Sequence, residues 1–111
     1  MSKVKILFPS KRSREEFNLT YELQGAQKAA DLLARDYGIR RMKIVDGRKA
    51  GKRNHACYSY DDHSAYFRKK KIDKWLVLHE FFHHLVHSRN LRVRGEESEA
   101  DKFANATLKT R

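Results

Sequence analysis

The sequence has few of the residues that cross-link, kink or loosen a chain. Its 111 residues include one cysteine, one proline and five glycines. The single cysteine, Cys57, excludes an intrachain disulfide and indicates a reducing compartment. The scarcity of proline and glycine excludes collagen-like and linker-like chains, and a hydrophobic content of 40% excludes a wholly disordered one. We expect one domain spanning residues 1–111.

Long apolar runs are also missing. The longest uninterrupted one, residues 75–78, is far shorter than the roughly 20 residues that cross a bilayer. The apolar residues 6–8 near the N-terminus are too few for the core of a secretion signal. These absences predict a soluble, cytoplasmic protein that does not enter a membrane.

Charge of one sign is in excess. Twenty-five lysines and arginines stand against 14 acidic residues, which gives a net charge of +11. Such an excess suggests nucleic acid or an acidic protein as a partner. Basic residues cluster at 48–53 and 68–74, with aromatic side chains between the clusters that can stack on bases. No recognised nucleic-acid motif is present, and charge runs are usually solvated surfaces, so nucleic acid stays an alternative.

Hydrophobic periodicity predicts an α+β fold. Strands are predicted at residues 4–8, 39–45, 55–60 and 64–68, with a hairpin turn at 61–63. Helices are predicted at residues 20–37, 72–88 and 96–108. We expect a small, mostly antiparallel sheet of three to four strands with one N-terminal helix. Two helices are expected to follow, at residues 72–88 and 96–108. The first carries the candidate active-site residues, and the second, C-terminal one carries a further acidic residue that can complete a metal site with them.

The boundaries of the first helix follow from capping residues. Asn18 or Thr20 is expected to cap its start, and Gly38 is expected to end it. Residues 11–18 are polar and charged, so we expect them to form a surface connection.

The helix predicted at residues 72–88 is apolar on nearly every side, which is typical of the buried centre of a domain. Yet it carries several histidines and Glu80, whose burial without partners costs several kcal/mol. His79 and His83 lie four residues apart, on one face, within an H-E-x-x-H segment that can bind one Zn²⁺. Glu80, rotated by about 100°, can reach a water on the metal and act as general base. Satisfied core histidines, with Glu80 exposed, are the alternative.

A catalytic zinc site needs a third protein ligand and an open position. Glu97 lies in line with apolar residues of the last helix and is expected to face inward, whereas Glu99 faces solvent. Asp101, one turn later, can accept a hydrogen bond from the free N–H of His79 or His83. The alternative is that the acidic residues, Glu96 among them, only complement the positive end of the helix.

The two motifs together resemble a known group of zinc peptidases. H-E-x-x-H followed by E-x-x-A-D-x-F-A at residues 97–104 is similar to the gluzincin metallopeptidases, including CAAX-processing, HtpX-type and ImmA/IrrE-type enzymes. A chain of this length is similar to their minimal soluble members, the minigluzincins. The resemblance implies a zincin-like fold and one catalytic zinc held by His79, His83 and Glu97. It also implies that Glu80 is catalytic and that Asp101 lies behind the ligands.

The expected reaction is hydrolysis of a bond in a peptide or protein substrate. Glu80 would take a proton from water that the zinc activates and deliver it to the leaving amine. The oxyanion also needs a donor, which the sequence does not identify. Candidates for contacts with the oxyanion or the substrate are His87, Tyr66 and Tyr60, together with Tyr58. Core packing is the alternative for most of them.

The resemblance also implies a rim and an inhibitor. The strand at 64–68 would form the upper rim of the cleft and pair with extended substrate. The C-terminal tail, residues 108–111, would fold back towards the metal as an intramolecular inhibitor, so that the chain is latent. A frayed terminus is the alternative for the tail.

Two other functions stay open. The basic chain can be a nucleic-acid-associated zinc protein, either a protease of DNA-bound proteins or a non-catalytic binding module. It can also be a purely structural zinc module.

Overall fold

The computed structural model describes residues 8–47, 56–68, 70 and 72–109. In these ranges the chain forms α1 (Lys11–Gln24), α2 (Ala26–Tyr37), β1 (Lys43–Asp46), β2 (Ala56–Ser59), β3 (Ser64–Phe67), α3 (Lys74–Ser88) and α4 (Glu96–Leu108). The predicted α+β class is confirmed. The strand predicted at residues 4–8 lies, except for Phe8, outside the described residues, and so does the basic cluster at 48–53. No helix within the described ranges is both long and apolar enough to cross a bilayer.

The N-terminal region begins with a helix that the sequence analysis did not predict. The Ser10 side chain accepts a hydrogen bond from the Ser13 amide at 3.1 Å and caps α1, which starts at the next residue. The polar connection expected over residues 11–18 is therefore wrong. The caps expected at Asn18 and Thr20 are wrong for the same reason, since both residues lie inside α1.

A break separates α1 from α2 where a single helix was predicted. Gly25, with φ 94° and ψ 178°, adopts a conformation that only glycine takes easily and lies between the two helices. Leu19 and Leu23 recur at helical spacing with the apolar residues of α2, which predicts that they face the core, but they are 61% and 71% exposed, and Phe17 is buried instead. The predicted helix end is confirmed, because Gly38 closes α2 in the left-handed conformation.

The described sheet has three strands in the order β1-β3-β2. β2 and β3 pair antiparallel across a turn at residues 60–63, so the predicted hairpin is confirmed. β1 pairs with β3 in parallel and begins at Lys43, later than predicted. The sheet is therefore mixed rather than mostly antiparallel, and β3 is its central strand.

α3 is the centre of the core, as its composition predicts. It contacts α2, α4, β2 and β3. Five of its apolar side chains are fully buried, namely Val77, Leu78, Phe81, Phe82 and Leu85. Each such side chain contributes about 1.5–3 kcal/mol when it leaves water. This packing fixes α3 between the sheet and α4, so that its polar residues face one of these two neighbours.

The C-terminal end of α4 is held by α1. Asn18 Nδ2 donates to the Thr107 carbonyl at 3.0 Å, and Arg14 Nε donates to the Lys109 carbonyl at 3.0 Å. The opposite end of α4 therefore extends towards the middle of α3, where the H-E-x-x-H segment lies.

Candidate metal centre

α3 presents both histidines of the H-E-x-x-H segment towards α4. The helix begins after Asp73, whose side chain accepts a hydrogen bond from the Leu76 amide at 2.9 Å. His79 and His83 lie one turn apart, and their side chains are only 12% and 8% exposed. The regular helix therefore holds two imidazoles side by side at the edge of the core.

The three predicted ligands meet where α3 approaches the start of α4. The burial expected for the acidic residues is wrong, because the Glu97 side chain is 78% exposed and that of Glu99 only 20%. Glu97 lies at the N-terminal end of α4, beyond the packed part of the helix, and reaches the histidines from the solvent side. Glu97 Oε1 is 2.9 Å from His79 Nε2, and Glu97 Oε2 is 2.9 Å from His83 Nε2. The two Nε2 atoms are 3.4 Å apart. Tetrahedral zinc with ligands at about 2.0–2.1 Å places ligand atoms about 3.3 Å from one another. The separations of these donors therefore fit one zinc ion.

A carboxylate lies behind each histidine ring. His79 Nδ1 is 2.9 Å from Asp101 Oδ1, which fits the predicted contact of Asp101 with one of the two histidines. His83 Nδ1 is 2.5 Å from Glu96 Oε2. The sequence predicts for Glu96 only an interaction with the positive end of the helix, so this contact was not predicted. Each carboxylate favours the tautomer with its proton on Nδ1, which leaves the lone pair on Nε2.

In this tautomer the facing atoms of the two histidines and Glu97 all carry lone pairs, and none of them carries a proton. Both Nδ1–H groups donate outward, so the two Nε2 atoms and the Glu97 carboxylate face one another as acceptors at 2.9–3.4 Å. Such acceptors repel unless a cation lies among them. Two neutral imidazoles and one carboxylate are a donor set that zinc takes in catalytic sites. The chemistry of the site therefore fits the ion as well as its distances do.

Glu80 is buried beside the histidines, with only 6% of the residue exposed. Burial raises the pKa of its carboxyl to about 7; the neighbouring His79 lowers it and the charge of Glu97 raises it. Among the described residues, no hydrogen bond holds this carboxyl. The alternative of an exposed Glu80 is therefore wrong, and its carboxyl is available to a molecule in the adjacent cavity.

A cavity of about 560 Å³ opens onto these groups. It is lined by Ala56, Cys57, Tyr58, Tyr60, Trp75, Leu76, His79, Glu80, His83 and Glu97. Its size falls in the range of small-molecule and peptide pockets, about 300–1,000 Å³. The three metal-ligand candidates and Glu80 thus share a space that a substrate can enter.

The strand that borders this cavity is β2. β3 was expected to be the rim that pairs with substrate, but it is bonded to β1 on one side and to β2 on the other. The predicted role of residues 64–68 is therefore wrong. Residues 56–58 of β2 line the cavity, and within the described ranges the outer edge of β2 has no partner strand.

The candidates for contacts with the oxyanion or the substrate separate by position. Tyr60 lines the cavity, whereas Tyr66 and His87 do not. The Tyr66 hydroxyl donates to the Asp62 carboxylate, and His87 Nε2 is 3.1 Å from the Tyr60 carbonyl oxygen. Tyr58 lines the cavity as well, but its hydroxyl bonds elsewhere, as described below.

The described part of the C-terminal tail lies away from the site. Leu108 and Lys109 end α4 beside α1, and Lys109 is about 18 Å along the helix from Glu97 at 1.5 Å per residue. These two residues therefore do not fold back towards the ligands. Thr110 and Arg111 lie outside the described residues.

No protein-family model matches the chain, and comparisons with curated proteins and with solved structures give no match either. What characterises the site is therefore its own geometry. Two histidines and a glutamate converge, two carboxylates orient the rings, and a buried carboxyl faces a cavity.

Proposed function

We propose that this protein is a zinc-dependent peptidase of the gluzincin type. The observation that carries the proposal is the convergence of His79 Nε2, His83 Nε2 and the Glu97 carboxylate, all within 4.8 Å of one another. Asp101 and Glu96 support it, because they hold the proton on the outer nitrogen of each ring.

The buried Glu80 carboxyl and the open cavity support a catalytic rather than a structural zinc site. Structural zinc sites are closed by four protein ligands, whereas the described residues offer three ligands here beside an open cavity. A bound zinc ion would supply Lewis acidity, which acidifies water and polarises a carbonyl group. Glu80 is placed to take the proton of the attacking water and to give it to the leaving amine.

The cavity fits an extended peptide as substrate. Its walls combine the aromatic and aliphatic side chains of Trp75 and Leu76 with the backbone of β2. The outer edge of β2, which no described strand covers, offers amide and carbonyl groups at the pitch of an extended chain. Cys57 is a free thiol, which fits the cytoplasmic location that we include in the proposal.

The test compares the full chain with Glu80→Gln. Wild type is expected to bind one zinc per chain and to cleave members of a random peptide library, read by mass spectrometry. Glu80→Gln is nearly isosteric and is expected to keep the zinc while kcat falls about 100- to 10,000-fold. Wild type without zinc, or equal cleavage by Glu80→Gln, would contradict the proposal. Zinc binding with no effect of Glu80→Gln on any property would instead indicate a structural zinc module.

The comparison of wild type with Glu80→Gln also tests the alternative that the protein binds nucleic acid. Arg40 and Lys43 line a second cavity, but Asp61 and Asp62 line it too. A salt-dependent shift of DNA that Glu80→Gln leaves unchanged, without peptide cleavage by wild type, would favour a binding protein over a peptidase.

A further inference from the structure

We propose that the Tyr60 hydroxyl donates the hydrogen bond that stabilises the oxyanion formed on the scissile carbonyl. This inference rests on the proposed peptidase function and deepens it by naming the donor. It also gives His87 a role as the residue that positions Tyr60.

Tyr60 reaches the site from the sheet side of the cavity. It directly follows β2, lines the cavity with Glu80, His83 and Glu97, and is 52% exposed. Its hydroxyl forms a hydrogen bond with the Glu96 carboxylate, the same group that holds His83. The phenol oxygen therefore lies at the boundary between the ligands and the open cavity.

The hydroxyl stays protonated at neutral pH and can therefore donate. Burial raises the pKa of Tyr60 above its usual value, and the carboxylates of Glu96, Glu97 and Glu80 raise it further. A tyrosine in this state offers one O–H, which a developing negative charge attracts more strongly than a neutral carbonyl does.

Two aromatic neighbours position the ring of Tyr60. It stacks on His87 with the ring centroids 4.8 Å apart and the planes 22° apart, and its centroid is 5.3 Å from that of Tyr58. His87 Nε2–H donates to the Tyr60 carbonyl at 3.1 Å, which fixes the backbone at the start of the turn. His87, one turn of α3 beyond His83, thus supports the tyrosine rather than the metal.

The other strong donors on the cavity wall have partners elsewhere. The Tyr58 hydroxyl is 2.8 Å from His84 Nδ1, and Trp75 Nε1 donates to Asn105 Oδ1 at 2.9 Å. Among the described neutral side-chain donors that line the cavity, the Tyr60 hydroxyl is the one bonded to Glu96, the carboxylate behind His83.

The proposed step needs no additional reagent. Water oxygen forms a bond to the carbonyl carbon, Glu80 takes the proton of that water, and the carbonyl electron pair moves onto its oxygen. The Tyr60 O–H turns from Glu96 to this oxygen and keeps its proton throughout. The electron pair then re-forms the carbonyl, the C–N bond breaks, and Glu80 gives its proton to the amine.

The experiment uses the zinc-loaded full chain, with Tyr60→Phe and the matched control Tyr66→Phe. We expect kcat to fall about 10- to 100-fold in Tyr60→Phe, with KM within about twofold and zinc content unchanged. Tyr66→Phe loses a hydroxyl that bonds to Asp62, outside the cavity, and is expected to keep wild-type kcat. His87→Phe preserves the ring stack but loses the N–H to Tyr60, so a smaller fall in kcat is expected.

A second readout does not depend on turnover. A phosphinic peptide built on a sequence cleaved in the library experiment has a tetrahedral centre and an anionic oxygen. Its affinity, measured by calorimetry, is expected to fall in Tyr60→Phe by the same factor as kcat. Tyr66→Phe is expected to bind it as wild type does.

The outcomes separate the two proposals. If Tyr60→Phe keeps both kcat and phosphinic affinity while Glu80→Gln loses activity, Tyr60 is not the donor and the peptidase proposal stands. If Tyr60→Phe loses zinc, the tyrosine acts through Glu96 on His83, and the inference is overturned as well. If wild type neither holds zinc nor cleaves peptides, both proposals fail.

Discussion

Two pairs of histidines on α3 differ in the groups that their ring nitrogens face. His79 and His83 have a carboxylate on the outer nitrogen, and their inner nitrogens point at each other and at Glu97. His84 and His87 lie on the side of the hairpin. There the partners are the Tyr58 hydroxyl and the backbone carbonyls of residues 40 and 60.

In the second pair, His84 has a hydrogen-bond partner on each ring nitrogen. His84 is fully buried, accepts from the Tyr58 hydroxyl at Nδ1 and donates to the Arg40 carbonyl from Nε2 at 2.7 Å. Burial lowers the pKa of His84 to about 4, while its bond to the Arg40 carbonyl opposes the shift. Both nitrogens are used, so this ring is neutral and closed to further ligands. The first pair differs because its inner lone pairs remain available.

The largest expected effect contrasts one residue from each pair. His83→Ala removes a candidate ligand, so we expect zinc affinity to fall more than about 100-fold. Changing a residue that only hydrogen-bonds to a ligand typically lowers metal affinity about 10- to 100-fold, and losing the ligand itself should cost more. His84→Ala leaves Tyr58 and the Arg40 carbonyl without their partner, and the free energy of unfolding is expected to fall by about 2–4 kcal/mol. Zinc competition with a chromophoric chelator and urea unfolding measure the two effects. Loss of zinc in His84→Ala to the same extent would erase the distinction.

Zinc itself is expected to stabilise the fold through the first pair only. At a free concentration 100 times the dissociation constant, binding contributes about 2.7 kcal/mol. For a domain of this size that raises the melting temperature by roughly 10 °C. Calorimetry with added zinc, and again with a chelator, measures the shift. A comparable response in His83→Ala would place the binding site elsewhere.

The carboxylates behind the rings should have an intermediate effect. Asp101→Ala and Glu96→Ala remove the groups that orient His79 and His83, and each is expected to weaken zinc binding about 10- to 100-fold. Alanine favours helix, so α4 should remain folded. Tyr58→Phe is the matched change behind the second pair, and it should leave zinc affinity unchanged. Unaltered affinity in both alanine variants would remove Asp101 and Glu96 from the site.

The smallest effect is expected at the hairpin turn. His63 has φ 53°, its Nδ1 is 3.4 Å from the Tyr58 hydroxyl, and its ring lies beside that of His87 with the centroids 4.7 Å apart, so neither contact is a strong polar bond. Asparagine tolerates this left-handed conformation, so His63→Asn should change the free energy of unfolding by less than about 0.5 kcal/mol. Zinc affinity should not change. A loss of zinc would show that His63 belongs to the metal site.

The convergence of His79, His83 and Glu97 was predictable in part because it depends on local geometry. Two histidines four residues apart on a helix must share a face. The apolar line of the last helix indicates the side of Glu97 but not its burial, since its side chain meets the two histidines while 78% of it stays exposed. Glu96 escaped prediction because its contact with His83 depends on how α4 crosses α3. That crossing is set by core packing, such as the stack of Phe81 on Phe103 with centroids 6.2 Å apart, which no local pattern encodes.

The errors in the fold have the same origin. The leucines at 19 and 23 continue a helical period, but a period does not say which side of a helix meets the core, and both are exposed. The parallel pairing of β1 with β3 joins segments about 20 residues apart in sequence, so alternation within each strand does not reveal it. That pairing moves β3 to the centre of the sheet and leaves β2 beside the cavity.

The anchoring of α4 to α1 has a mechanical consequence. Its C-terminal end is tied to α1 by the bonds of Asn18 and Arg14 to the carbonyls of Thr107 and Lys109. Between that end and Glu97, Phe103 packs on Phe81 and Phe82 of α3. The tilt of α4 over α3 depends on both sets of contacts, and Glu97 lies about 18 Å along the helix from Lys109, so a tilt of about 3° about that end would displace it by about 1 Å. Displacements of that size cost catalytic sites up to about 100-fold in rate. A surface substitution at Arg14 is therefore expected to weaken metal binding at the candidate site although Arg14 does not touch it.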